Sequence, residues 1–182
     1  FSVAFSEQVE AQNSNTLASN AYPIGTHVLF GRYEQDDDLS NGQEPLEWVV
    51  LDQTDSKVLL ITRDIIDFGY NGKAGLTSPG PVQTYRWANS TLRQWLNGEF
   101  ISMAFDTNEQ TSLVSTTVKA EKSPFNNYAK GQDTQDRVFT LSYSEAYYYF
   151  TTDDDRIAEP SPSIKHYPFC SVGQMWRDGV MY

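Results

Sequence analysis

The chain has 182 residues, enough for one domain with a full core and short of two. Its net charge of −11 argues against nucleic acid, whose phosphates need a basic face, and against an anionic membrane surface. One cysteine, Cys170, excludes an intrachain disulfide and a cysteine-rich zinc site, and the apolar runs are too short to span a bilayer.

Phe1 to Ser6 begins without Met and is followed by a polar Ser, Asn, Gln and Ala stretch to Asn20. Two readings stand side by side: a processed export remnant plus spacer, or an ordinary N-terminal helix. The turn Tyr22-Pro23-Ile24-Gly25 opens the domain. His27 to Tyr33 reads as a strand. Leu46 to Asp52 and Val58 to Thr62 read as an antiparallel pair around Asp55-Ser56-Lys57, apolar enough for both faces to be covered. Asn71 to Thr84 reads as a surface loop.

Tyr85 to Phe100 is the organising stretch. Asn89 or Ser90 can cap a helix, and Leu92, Trp95 and Leu96 share one face. Asn97-Gly98 supplies a left-handed stop. A helix of about two turns is not stable alone, so it must dock on the sheet. Asp106 with Glu109 makes a relaxed capping box ahead of a short helix near Glu109 to Leu113. A short strand follows within Val114 to Val118, then a polar loop over Glu121 to Gln135, then a strand over Arg137 to Leu141. Ser142-x-x-Glu145 is a capping box for a second helix carrying Ala146 to Phe150; its YYYF run, Tyr147 to Phe150, is expected to pack on the sheet with two tyrosines edging outward. Strands and short helices that do not alternate make the fold α+β.

The order of landmarks resembles a family of uncharacterised bacterial domains, often exported. Its Phe-Gly-x-Tyr-x-Gln is matched by Phe30-Gly31-Arg32-Tyr33-Glu34-Gln35, and its Pro-(Leu/Ile)-Glu-Trp-x-Val-Leu-Asp by Pro45 to Asp52. Trp-x-x-Ser-x-Leu-Arg-x-Trp-Leu-Asn is matched from Trp87 to Asn97. Ala104-Phe105 with Glu109 and Val138-Phe139-Thr140-Leu141-Ser142 with Glu145-Ala146 complete the set. The resemblance covers roughly Ile24 to Pro162. It implies a C-type-lectin-like fold: antiparallel strands with two or three short helices and long loops. That fold is shared in outline with formylglycine-generating enzymes and with the variable proteins of diversity-generating retroelements. The expected organisation is a spacer or processed export remnant over 1–22 and a single C-type-lectin-like domain over 23–182. An incomplete C-terminus is left open, since Gln174 to Val180 departs from the family's Trp-rich run.

Several chemistries can be weighed. The oxidase chemistry of the formylglycine-generating relatives needs a cysteine pair on Cu(I), which one cysteine cannot supply. Asp36-Asp37-Asp38 and Asp153-Asp154-Asp155 suggest calcium, but consecutive aspartates diverge, and solvated loops are the better reading. A hydrolase would pair Glu47 with Glu99 or Glu109, or a serine with His166; against it, Glu47 is expected to pair with Arg93 and support the helix. Trp48, Trp87 and Trp95 are expected in the core. The binding candidates are His166, Tyr167, Phe169, Trp176, Arg177 and Tyr182, because Tyr, Trp and Arg concentrate at recognition surfaces.

The reading that follows is a non-enzymatic ligand-binding module of an exported or surface-displayed bacterial protein, with no cofactor and no metal. In sharper form it is a retroelement-diversified variable protein. It would bind a protein or glycan through its C-terminal aromatic face and the loops around Gly72 and Asn127, without nucleic acid or membrane insertion. The competing readings are an enzyme with an unfamiliar site on the same scaffold and a structural domain of a surface protein.

Overall fold

The computed structural model describes residues 2–5, 22–54, 56–67, 86–125, 127 and 129–165, the first four and the last two by backbone alone. Five antiparallel strands form the main sheet in the order β2-β3-β4-β1-β7: β1 (Ser2–Phe5), β2 (His27–Tyr33), β3 (Glu44–Gln53), β4 (Val58–Thr62) and β7 (Val138–Phe139). Two further strands, β5 (Thr116–Val118) and β6 (Thr134–Asp136), pair with each other. Among the described residues, five short α-helices lie between and after them: α1 (Thr91–Trp95), α2 (Ile101–Ala104), α3 (Thr107–Ser112), α4 (Tyr143–Tyr149) and α5 (Pro162–Lys165). The architecture is α+β. Ser2–Phe5, within the stretch read as spacer or export remnant, lies in the sheet between β4 and β7.

β3 and β4 pair as expected, Trp48 opposite Thr62 and Val50 opposite Leu60. Only one of their faces is fully covered. Leu46, Trp48, Val50, Val58 and Leu60 are buried, whereas Glu47, Val49, Leu59 and Ile61 on the other face are half-buried. The apolar runs therefore do not mean two equally dry faces. Glu47 shows why: on this second face it accepts from His27 Nδ1 at 2.6 Å and from Arg63 Nη1 at 2.6 Å. The expected Glu47–Arg93 pair does not form, because the two groups face different partners.

The organising stretch runs longer than its sequence suggests. Ser90 caps α1, its Oγ accepting from Arg93 N at 3.1 Å. No stop follows at Gly98, whose φ is not positive. Leu96–Phe100 instead wind as a π turn that passes directly into α2. The wider turn adds a residue, which keeps Trp95, Leu96, Phe100, Ile101 and Ala104 buried together. It also frees Asn97 for tertiary work. Asn97 Nδ2 donates to Val138 O at 2.8 Å, and its Oδ1 accepts from Arg137 N at 2.8 Å and Val138 N at 3.3 Å. One amide thereby satisfies the backbone around β7, where an unmet polar group would be costly.

Beside it, Asp136 is fully buried and fully engaged. Its Oδ1 accepts from Arg93 Nε at 2.7 Å. Its Oδ2 accepts from Trp87 Nε1 at 2.8 Å and Thr134 Oγ1 at 2.5 Å. This network ties the 3₁₀ turn Trp87–Asn89 and α1 to β6. On the other side of the core, Phe100 and Phe105 meet edge to face at 5.9 Å, Trp95 packs on Phe100 at 5.1 Å and Phe30 on Phe105 at 5.0 Å. Gly31 makes that approach possible. Its φ is +77°, and a Cβ there would lie 2.6 Å from Ala104 O and 2.7 Å from the Phe105 ring. Its N–H donates to Glu109 Oε1 at 3.0 Å, while Glu109 also closes the Asp106 capping box of α3.

Removing one partner of a buried ion pair strands the other, so Arg93→Ala should lower unfolding free energy by about 3 kcal/mol in urea titrations. The joint change Arg93→Met with Asp136→Leu should cost clearly less than the two single changes added together. On the second sheet face, the His27 hydrogen bond and then Arg63 hold the Glu47 carboxyl below its ordinary value of 4.5. A depressed folded value means stability that is present above 4.5 and lost as pH falls through the folded value. The melting temperature of the native chain should therefore fall below that pH, and Glu47→Gln should flatten the fall.

Candidate functional site

The residues singled out in sequence as binding candidates, His166, Tyr167, Phe169, Trp176, Arg177 and Tyr182, lie outside the described residues, as do Cys170 and the loop around Gly72. Asn127, in the second loop, is exposed. The described part nevertheless carries an aromatic surface of its own, built on α4 and the loop before β6.

α4 starts where its capping box requires. Glu145 N donates to Ser142 Oγ at 3.3 Å, and Ser142 N donates back to Glu145 Oε2 at 2.7 Å. Tyr143 and Tyr147 stand one turn apart on the same side, their ring centroids 4.5 Å from each other. Phe125 from the preceding loop meets Tyr143 edge to face at 5.4 Å. Phe125, Tyr143 and Tyr147 are 58%, 39% and 46% exposed, so the three rings form a row open to solvent. Tyr148 is more exposed still, whereas Tyr149 and Phe150 are half-buried; two tyrosines edge outward as expected, while the helix ends at Tyr149 with Phe150 as its C-cap and buries none of its residues fully.

The row is held from behind. The Arg156 guanidinium lies 4.1 Å from the Tyr147 ring centroid. Arg156 in turn donates to Phe150 O and pairs with Asp153, and its own side chain is only 10% exposed. The Tyr149 hydroxyl donates to Asp52 Oδ2 at 3.2 Å and moors α4 to the end of β3; burial first, and then Asp52, push this phenol up to about 12. A hydrogen bond with Tyr147 raises the Tyr143 phenol above its ordinary value. Glu121 Oε2 accepts from Ser144 N at 3.3 Å, fixing the loop to the start of the helix. Rings immobilised this way contact a ligand with little entropy left to lose.

The acidic runs have other employment. Glu34, Asp36 and Glu44 bring carboxylate oxygens within 4.8 Å of one another. Each accepts from a backbone N–H: Glu34 from Asp36, Asp36 from Asp38 and Glu44 from Gln35. The Asp38 N–H, followed by Asn41, keeps the Asp36 carboxyl below its ordinary value. Of the second run, Asp153 pairs with Arg156, and Asp155 caps its own turn through Thr152 N at 3.0 Å. Of the carboxylates in the hydrolase reading, Glu47 accepts from His27 and Arg63, and Glu109 accepts from Asp106 N and Gly31 N.

The aromatic row was missed in sequence because its members lie in different segments. Only the i, i+4 spacing of Tyr143 and Tyr147 behind a capping box pointed to a shared face, and nothing local pairs them with Phe125. Trp48 and Trp95, by contrast, are in the core as expected, and half-buried Trp87 serves Asp136.

No curated protein and no solved structure matches the chain. Residues 55–167, which span α1 to α4 and the aromatic row, match a protein family described as a domain of unknown function (DUF6273). With more than half of its length inside that match, the chain belongs to this family of uncharacterised domains.

Proposed function

We propose that the domain is a non-enzymatic ligand-binding module of an exported or surface-displayed bacterial protein, on a C-type-lectin-like scaffold. Its ligand is a protein or glycan. The observation that carries this reading is the solvent-open row Phe125–Tyr143–Tyr147, fixed from behind by Arg156. Rigid aromatic rings at a surface are what recognition sites concentrate, because they bury much area at low entropy cost. The neighbouring fold supports the same reading from the other side. Residues of the Trp87-to-Asn97 motif are spent on capping, core packing and the β6–β7 edge, and Glu47 and Glu109 are spent on ion pairs and caps. Such groups hold a frame, and the row sits on that frame at positions the motifs do not use.

The sharper form of the proposal is a retroelement-diversified variable protein. In it, the C-terminal residues His166, Tyr167, Phe169, Trp176, Arg177 and Tyr182 form a second part of the binding surface.

The test is a screen of the whole chain against arrayed glycans and displayed proteins, followed by alanine substitution. Phe125→Ala and Tyr147→Ala should each weaken the binding found by at least about tenfold, the range of a hot-spot residue. Tyr167→Ala and Trp176→Ala should do the same if the surface extends to the C-terminus. Saturable binding that survives all four substitutions in folded protein, or a screen that returns no ligand, would overturn the reading.

A further inference from the structure

The chain holds three Asn-Gly pairs, Asn41-Gly42, Asn71-Gly72 and Asn97-Gly98. In such a pair the missing Cβ lets the glycine nitrogen approach the side-chain carbonyl carbon of the asparagine. We propose that Asn41 is a site of spontaneous deamidation, that the fold blocks the same reaction at Asn97, and that the product adds a carboxylate to the acidic loop between β2 and β3. Asn71 lies outside the described residues.

The reaction takes water alone. The Gly42 nitrogen gives up its proton and bonds to Asn41 Cγ. The Cγ–Nδ2 bond breaks, and Nδ2 leaves with that proton as ammonia. Water then opens the cyclic imide at either carbonyl, which yields aspartate or isoaspartate. One water is consumed and one ammonia released, with no change of oxidation state.

Exposure is the first difference between the two described sites. Asn41 and Gly42 are both exposed, and a Cβ built on Gly42 would meet nothing within 4 Å. Asn97 is half-buried between buried Leu96 and the β6–β7 edge.

Hydrogen bonding is the second. Among the described residues the Asn41 side chain has one partner, Asp36 Oδ2, to which its Nδ2 donates at 2.9 Å. Its Oδ1 and the Gly42 N–H meet none there. The Asn97 amide is held on both atoms. Its Nδ2 donates to Arg93 O at 3.1 Å and to Val138 O at 2.8 Å, and its Oδ1 accepts from Arg137 N and Val138 N. Attack at Asn97 Cγ would sacrifice these bonds around a buried strand.

The backbone is the third. Closing the imide ring needs a ψ outside the helical region at the asparagine. Asn97 lies in the π turn, where Trp95 and Leu96 before it have helical ψ values of −48° and −40°. It therefore reacts only after the core helix opens locally. Asn41 stands in an exposed turn closed by its own N–H to Asp38 O at 3.2 Å, and Gly42 after it has a φ of +83°. Rotation there disturbs no core residue.

The product changes the loop through its charge. A donor to Asp36 becomes a second carboxylate beside it, next to Glu34, Asp36 and Glu44, whose carboxylate oxygens already lie within 4.8 Å of one another. Asp36 also accepts from Asp38 N at 2.9 Å, and Asp38 from Ser40 N at 3.0 Å, so repulsion at Asp36 loosens the turn that these bonds build.

The experiment incubates the whole folded chain for days in mildly alkaline water labelled with heavy oxygen, then maps its peptides by mass. Label should enter the peptide holding Asn41 at least about tenfold faster than the peptide holding Asn97, because only the second waits for local unfolding. A protease that cuts before aspartate and not before isoaspartate should show both products at position 41. In urea the chain has no fold to protect Asn97, and the two rates should come within about threefold of each other. Asn41→Gln should stop labelling in its peptide, since a longer side chain closes the ring poorly. Asn41→Asp should speed amide exchange at Asp38 and Ser40, and added salt should reduce that effect by screening the carboxylates. Equal rates at Asn41 and Asn97 in the folded chain would overturn the proposal. So would a difference that persists unchanged in urea, which would assign it to neighbouring sequence and not to the fold. An Asn41 peptide that stays unlabelled in the folded chain while it reacts in urea would overturn it as well.

Discussion

Asp136 is the constraint on which much of this fold rests. A carboxylate with no exposed surface is expensive unless both of its oxygens find donors. Here Arg93, Trp87 and Thr134 supply them, and those three residues come from α1, the turn ahead of it and β6. The requirement to satisfy one charge therefore sets where the helix sits on the strands. Asn97 then repeats the device one turn later, with a neutral amide bonded to the backbone around β7. Together they fix the position of the chain that leads into α4, and so of the surface row that α4 presents.

Much of this frame was legible in the sequence. The β3–β4 hairpin, the Ser142 and Asp106 caps and the core tryptophans follow from local pattern, because each depends on residues a few positions apart. The parts that were not legible depend on partners far away in the chain. Asn97-Gly98 has the look of a helix stop, yet the Asn97 side chain is claimed by β7 and the apolar series through Ala104 carries the helix on. Glu47 was matched to Arg93 by charge alone, although strand alternation puts it on the face opposite the core, with His27 and Arg63. The Phe125–Tyr143–Tyr147 row needed a loop and a helix brought together, and no spacing rule encodes that.

There is a division of labour in the result. The residues singled out as motifs in the sequence are those that fix the frame: Gly31 lets strand and helix touch, Glu109 joins them, Ser90 and Ser142 start helices. The rings at the surface are outside those motifs, apart from the general helix that carries two of them. A frame so fully determined by its own hydrogen bonds can tolerate change at the surface, since altering an exposed ring leaves no buried donor or acceptor unmet.

The place of β1 carries a different consequence, for the order of folding. It is the first of the described strands, yet it sits inside the sheet, with Val3 paired to Leu60 on one side and to Val138 on the other. Both pairings span long stretches of chain, so their loop-closure entropy is met late and the topology favours slow assembly. Until β1 arrives, β4 presents an open edge toward β7, and such edges recruit foreign strands. Closing this seam is thus as much a defence against misassociation as a gain in stability.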